Sequence, residues 1–225
     1  MEEATTDNTA NRLGRINAAI RAAAKLAARP EDSTQLIAVS KTRNADEILP
    51  LLEAGHRTFG ENRVQEAAEK WPALKSAYPD ASLHLIGQLQ SNKAEEAVAL
   101  FDVIHSLDRM SLVTALGKAM RDQGKAVPCF IQVNIGAEEQ KGGCALEALS
   151  ELLASARDAA IPVAGLMCLP PADIEPAPFF ALLAERAARH GLSGISMGMS
   201  DDFGTAIMLG ATHIRVGTAL FGPRA

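Results

Sequence analysis

Leu36-Ile-Ala-Val-Ser-Lys41 reads as a short buried strand that ends on a lysine. Ile37 and Val39 are β-branched, and the run is bounded by polar residues. Asn44-Ala-Asp-Glu47 follows at once and carries a helix start, with Asn44 as N-cap and Glu47 three residues on. Lys41 therefore stands at the C-terminal edge of the first strand of a strand–loop–helix unit. In parallel α/β folds that edge is where chemistry gathers. Most lysines are solvated surface charges. One at the end of a buried strand is instead an amine partly stripped of water, with a lowered pKa, suited to condensing with an aldehyde.

Seven further strand-like runs follow. They lie at 57–62, 82–87, 101–106, 128–134, 163–168, 194–198 and 213–217, each separated from the next by a helical pattern. Asn11 to Ala28 adds an amphipathic helix before the first strand, ending ahead of Pro30. The helix near 63–76 is expected to break around Trp71-Pro72, and Ser200 is expected to cap a helix running to Leu209. Eight strands alternating with helices predict an α/β chain folded as a single (β/α)8 TIM barrel. No helix is expected after the eighth strand, so the N-terminal helix is expected to cover the gap. There are no repeats, linkers or low-complexity runs. One domain over 1–225 is expected, with 1–8 frayed.

Composition narrows the function. Among 225 residues, 48% are hydrophobic, ample for a core. A net charge of -5 and only 4% aromatics argue against nucleic acid. No run reaches membrane-spanning length, and the first residues lack the basic start of a signal peptide. Cys129, Cys144 and Cys168 are odd in number and fit neither a zinc motif nor a disulfide frame, which points to a reducing cytoplasm. No large apolar surface stripe is evident, which favours a monomer.

A barrel would bring the strand ends to one mouth. They carry Lys41, Glu61-Asn62, Gly87-Gln88, His105-Ser106, Asn134, Met167-Cys168, Gly198-Met-Ser200 and Arg215-Val-Gly-Thr218. Phosphate commonly sits on the loops after strands seven and eight in this fold, where Gly198, Ser200, Gly217 and Thr218 fall. Ser200 as a simple cap and Gly217 as a barrel corner are the plain alternatives. With a strand-end lysine, the set points to a phosphorylated aldehyde, of which pyridoxal 5'-phosphate (PLP), the vitamin B6 cofactor, is the obvious one. Arg215 faces inward with Gly217. It either joins an ion pair inside the barrel or donates to the pyridine nitrogen of that cofactor.

The chain resembles the pyridoxal phosphate homeostasis proteins, single-domain relatives of the alanine racemase N-terminal domain. Several stretches carry the resemblance. They are Ala38-Val-Ser-Lys-Thr42, Phe59-Gly-Glu-Asn62 with Gln65-Glu66, His84-Leu-Ile-Gly87 with Leu89-Gln-Ser-Asn-Lys93, Val133-Asn134, Gly165-Leu-Met167, Ser196-Met-Gly-Met-Ser200 with Asp202, and Arg215-Val-Gly-Thr-Ala-Leu-Phe-Gly222. Together they span nearly the whole chain. The resemblance implies a Schiff base at Lys41, phosphate contacts from Ser200, Gly217 and Thr218, Arg215 near the pyridine nitrogen, and Asn62 and Met197 close to the cofactor. It implies control of PLP levels without clear enzymatic activity, and apo PLP-dependent enzymes as transient acceptors. Arg63 stands where Tyr is common in the family, and Gln88 where Pro is common.

Carrier and enzyme make different demands. A racemase needs a base on each face of the α-carbon. In the full-length racemases the second is a tyrosine from a separate domain of the partner subunit, and the sequence ends soon after the eighth strand. Tyr78, the one tyrosine, falls before strand three at the far end. His105 is expected to be a core histidine bonded to backbone. No clustered His/Asp/Glu set suggests a metal. A PLP carrier or buffer is the leading expectation; a weak PLP-dependent amino-acid racemase is the alternative.

Overall fold

The computed structural model describes residues 8–222. Residues 1–7, where fraying is expected, lie outside them. Asn8 is ordered by a specific bond: its Oδ1 accepts from the Asn11 N–H at 2.8 Å and caps α1 (Thr9–Leu26). The buried stripe of α1 is Leu13, Ile16, Ile20, Ala23 and Ala24, the spacing of one helix face. After it come β1 (Gln35–Val39), α2 (Ala45–Glu53), β2 (Thr58–Glu61), α3 (Val64–Ala77), β3 (Ser82–Leu85), α4 (Ala94–Leu100), β4 (Val103–Leu107), α5 (Met110–Gln123) and β5 (Cys129–Val133). Then follow α6 (Leu149–Asp158), β6 (Val163–Cys168), α7 (Ala177–Arg189), β7 (Gly194–Ser196), α8 (Phe203–Met208), β8 (His213–Val216) and α9 (Thr218–Phe221).

The eight strands form a closed parallel barrel in sequence order. Closure is made by β1 against β8, with Leu36 opposite Ile214 and Ala38 opposite Val216. Strand alternation separates two zones. Leu36 and Ala38 join the large apolar layer between strands and helices, while the equally buried Ile37 does not and so points inward. Phe130 and Met167 follow the same rule. The interior also holds His84, His105, Ser196 and Arg215, all buried.

The N-terminal helix does close the ring of helices, lying against α8 and α2 and beside α9. Arg29, just past its end, donates to the carbonyls of Ile207 (2.7 Å) and Ala211 (2.9 Å) and locks it there. Three local expectations are corrected. A four-residue helix, α9, does follow β8. α3 runs unbroken through Pro72. Its neighbour Trp71 is fully buried, packs on Phe59 at 5.0 Å and donates to Glu61 Oε1 at 3.0 Å, so tertiary anchoring holds the helix across the missing N–H. Ser200 lies in the turn ahead of α8 rather than at its N-cap, which is Asp202. The first backbone N–H of that turn, from Met199, goes to Asp202 Oδ1 at 2.6 Å.

Candidate functional site

The strand C-terminal ends open on a cleft of about 420 Å³, within the range of small-molecule sites. Lys41, Asn62, Ser200, Arg215, Gly217 and Thr218 all line it. Met197 does not: it is fully buried in the wall behind, where Gly198 turns the chain toward Ser200. Gly198 has φ +93, and a Cβ there would fall 2.6 Å from Ala206 Cβ, so only glycine fits this turn. At Gly217 a Cβ would meet Val39 Cβ at 3.3 Å and intrude on the cleft wall.

Lys41 is held from both sides in sequence. Thr42 has φ +63, a left-handed conformation that is unusual for a β-branched residue and costs of order 1–3 kcal/mol. Two residues of α3 stabilise it. Glu66 Oε1 accepts from the Thr42 N–H at 2.5 Å. Lys70 Nζ donates to the carbonyls of Ser40 and Arg43, each at 2.9 Å. Lys70 also pairs with Glu66 and Glu61, both at 2.9 Å. The Ser40 hydroxyl donates to Glu61 Oε1 at 2.6 Å, and that carboxylate is fully buried. Burial raises the Glu61 pKa in spite of hydrogen bonds from Ser40, Trp71 and Lys70 that oppose it. At the half-exposed Glu66 burial works the same way, but the Lys70 and Thr42 bonds outweigh it and the pKa is lowered.

Arg215 is 4% exposed and makes no ion pair among the described residues. Nη1 donates to Ser196 Oγ at 2.6 Å and Nη2 to the Cys168 carbonyl at 2.8 Å. Burial lowers its pKa, yet a guanidinium stays charged. An ion pair inside the barrel, one of the two readings open from sequence, is therefore not formed among the described residues. A guanidinium has five N–H donors, and a buried one calls for an acceptor in the cleft it lines. The Ser200 and Thr218 hydroxyls, across the same cleft, make no hydrogen bond with the protein among the described residues. A lysine amine, an uncompensated guanidinium and two unspent hydroxyls in one cleft fit a phosphorylated aromatic aldehyde.

The other strand ends are spent on structure. Gln88 Nε2 donates to Gln132 Oε1 at 2.8 Å, and Gln132 Nε2 to the Gly142 carbonyl at 3.0 Å. Asn134 Nδ2 donates to the Glu138 carbonyl at 2.8 Å. These bonds strap the loop after β5 and fill that side of the barrel. Arg63 is exposed. His105 is fully buried and bonded to side chains, His84 and Ser196, rather than to backbone. Residues 12–225 match the family described as alanine racemase, N-terminal domain. A pyridoxal phosphate homeostasis protein of Aquifex aeolicus is 38% identical over 96% of this chain and 99% of its own length.

The chain belongs to the pyridoxal phosphate homeostasis protein family. PipY of Synechococcus elongatus, solved with PLP bound, is 37% identical and superposes with a TM-score of 0.82 over 96% of this chain and all of that one. Alanine racemase of Clostridium difficile is 16% identical with a TM-score of 0.73, covering 97% of this chain and 57% of its own, a likeness of fold alone.

Two cleft residues of this family member, and Lys70 behind the lysine loop, escape sequence reading. Arg43 and Asp201 line the cleft. Arg43 Nη1 pairs with Glu47 at 2.8 Å, and its guanidinium lies over Phe221 at 5.5 Å. Lys70 had one signal, its place four residues after Glu66 on a helix.

Proposed function

We propose that this chain holds PLP through the amine of Lys41 and serves as an intracellular carrier or buffer of it. The observation that carries this is Arg215, a buried guanidinium with no carboxylate partner among the described residues, opening on the same cleft as Lys41, Ser200 and Thr218. Ser200, Thr218 and Gly217 are assigned to the phosphate, Lys41 to covalent attachment, Arg215 to the pyridine nitrogen and Asn62 to the flank of the ring. Met197 supports the site from behind. PLP, when bound, supplies an electron sink whose strength depends on protonation of its ring nitrogen. A permanently charged donor at that nitrogen keeps it unprotonated and weakens the sink.

The chain's own residues offer little else for turnover. Tyr78 lies at the end of α3, under the Arg57 guanidinium at 5.4 Å, next to the start of β3 and away from the mouth. His105 is sealed in the barrel and does not line the cleft. Among the described residues, Asp201 is the only carboxylate in the lining. The partners proposed are PLP and, transiently, apo PLP-dependent enzymes. The compartment proposed is the cytoplasm, in line with three cysteines that form no disulfide, and the state proposed is a monomer. Among the described residues no helix is long and apolar enough to cross a membrane.

The test has two arms. Borohydride reduction of the loaded protein followed by peptide mapping should place a pyridoxyl group on Lys41, and a label chiefly on another lysine refutes the assignment. Loaded protein should also restore activity to an apo PLP enzyme. Racemisation or α-proton exchange of amino acids at about 1 per second or faster, in a protein that transfers no PLP, refutes the carrier.

A further inference from the structure

Barrels of this kind are usually filled with branched apolar side chains. Here a string of polar groups runs through the interior. Arg215 Nη1 is 2.6 Å from Ser196 Oγ, which is 3.0 Å from His105 Nδ1. His105 Nε2 is 3.0 Å from His84 Nδ1, and His84 Nε2 is 3.1 Å from Ser82 Oγ. Ser82 opens β3 at the closed end of the barrel, while Arg215 lines the cleft at the mouth. The string thus joins the two ends without a gap. His105 cannot turn out of it, because its ring lies flat on Phe130 with centroids 4.3 Å apart and planes at 8°.

The string has only one direction that leaves no proton stranded. Arg215 can only donate, so Ser196 Oγ accepts from it. Among the described residues the Ser196 hydrogen then has one hydrogen-bond acceptor, His105 Nδ1. With Nδ1 accepting, a neutral His105 carries its proton on Nε2 and donates to His84 Nδ1. His84 in turn carries its proton on Nε2 and donates to Ser82. The reverse polarity would aim two donors at Ser196 Oγ and bury its own hydrogen without an acceptor, which costs about 1–3 kcal/mol.

We infer that Ser196, His105 and His84 are positioning residues for Arg215, forming a one-way string of hydrogen bonds, both imidazoles protonated on Nε2, that fixes the guanidinium at the mouth. This deepens the function proposed above, in which Arg215 meets the pyridine nitrogen. The string matters because every acceptor on it is neutral. A carboxylate behind Arg215 would hold it equally well but would cancel the charge it presents to the cleft. Burial supports neutral rings: it drives His84 down to about 3 and His105 well below the ordinary histidine value. His213 stands edge-on to His105 at 5.8 Å and is bonded through Nδ1 to Thr212 Oγ1 at 2.8 Å, outside the string.

Two measurements test it. Long-range ¹H–¹⁵N spectra of the full chain, labelled on histidine and free of PLP, should show Nδ1 bare and Nε2 protonated at both His84 and His105. An Nδ1–H tautomer or a doubly protonated ring at either one overturns the string. In the second arm, PLP is titrated into Ser196→Ala and His105→Leu. Each should bind about tenfold more weakly, the effect of one hydrogen bond to a charged group. The double variant should be no weaker than Ser196→Ala, and Ser196→Thr, which keeps the hydroxyl, should bind like wild type. Ser196→Ala binding within twofold of wild type, or a Ser196→Thr as weak as Ser196→Ala, overturns the positioning role. Wild type that takes up no PLP would defeat the carrier reading, and the tautomers would still decide the string.

Discussion

Replacing Lys70 with methionine removes one ammonium and leaves four acceptors without it. The carbonyls of Ser40 and Arg43 lose a charged donor, and so do Glu66 and Glu61. The lysine side chain is 11% exposed and that of Glu61 is 0% exposed, so solvent screens little of the Glu61 pair. Breaking a buried pair by removing one partner costs roughly 3–5 kcal/mol, mostly because the survivor is left charged in a dry site. For a chain of this size about 1 kcal/mol moves Tm by roughly 2–4 °C, so Lys70→Met should lower Tm by roughly 6–20 °C. Urea denaturation of the PLP-free protein measures the same loss directly.

The double variant Lys70→Met, Glu61→Gln isolates the cause. The introduced amide keeps an acceptor for the Ser40 hydroxyl and the Trp71 N–H but removes the stranded charge. It should recover at least about 1 kcal/mol relative to Lys70→Met alone. The loop consequence is separate: with Ser40 and Arg43 unpinned, Thr42 should relax from φ +63, and the yield of pyridoxyl-Lys41 after borohydride should fall. A loss below about 1 kcal/mol in Lys70→Met, or no recovery in the double variant, refutes the claim that Lys70 braces the lysine loop by compensating Glu61.

Other outcomes follow from the same geometry. Ser200→Ala with Thr218→Val should weaken PLP retention by at least ~100-fold in equilibrium dialysis, since each hydroxyl is proposed to donate a charge-assisted bond of roughly 1.5–3 kcal/mol; retention like wild type would place the phosphate elsewhere. Burial lowers His84 to about 3 and His213 to about 4, so their contribution is full above the unfolded value near 6.5 and is lost as pH falls toward those folded values. Each then adds up to about 1.4 kcal/mol per pH unit to the slope of stability between pH 6 and 5, and His84→Gln should lower that slope relative to wild type; Glu61, raised by burial, acts with the opposite sign in both proteins and cancels in the comparison. Burial pushes Cys129, Cys144 and Cys168 up to about 12, so iodoacetamide at pH 8 should leave all three unlabelled until the protein unfolds, and fast labelling of any one would contradict its placement.

What the sequence made legible follows a physical rule. Buried strands that end on polar residues are local patterns, so eight of them, and Lys41, Ser200, Arg215, Gly217 and Thr218 at their ends, could be read from spacing. Pro72 misled because proline weakens a helix locally, whereas the anchor that overrides it, Trp71 on Phe59 and Glu61, is tertiary. Gln88 and Asn134 stand at strand ends as much as Lys41 does. Only contacts between β3, β5 and the loop after β5 reveal that they are consumed in strapping that loop. His105 shows the same limit: a lone histidine on a strand gives no sign that its two nitrogens meet His84 and Ser196.

That division also explains how the three parts of this site differ in kind. The proposed phosphate end rests on Gly198 with Ser200 and on Gly217 with Thr218, a design that short motifs can carry. The placements of Lys41 and Arg215 depend on residues that do not line the cleft. Lys41 is aimed by Glu66 and Lys70 from α3, through a strained Thr42. Arg215 is aimed by Ser196 from β7 and, behind it, by histidines from β4 and β3. Each brace satisfies a buried charge differently. Lys70 meets carboxylates, which makes that side a closed, stabilising ion cluster. Among the described residues Arg215 meets only neutral acceptors, which leaves its charge free to act on whatever enters the cleft. The proposed role of Arg215 at a ring nitrogen needs that asymmetry, because a carboxylate in place of the Ser196 hydroxyl would neutralise Arg215 and remove the reason for burying it.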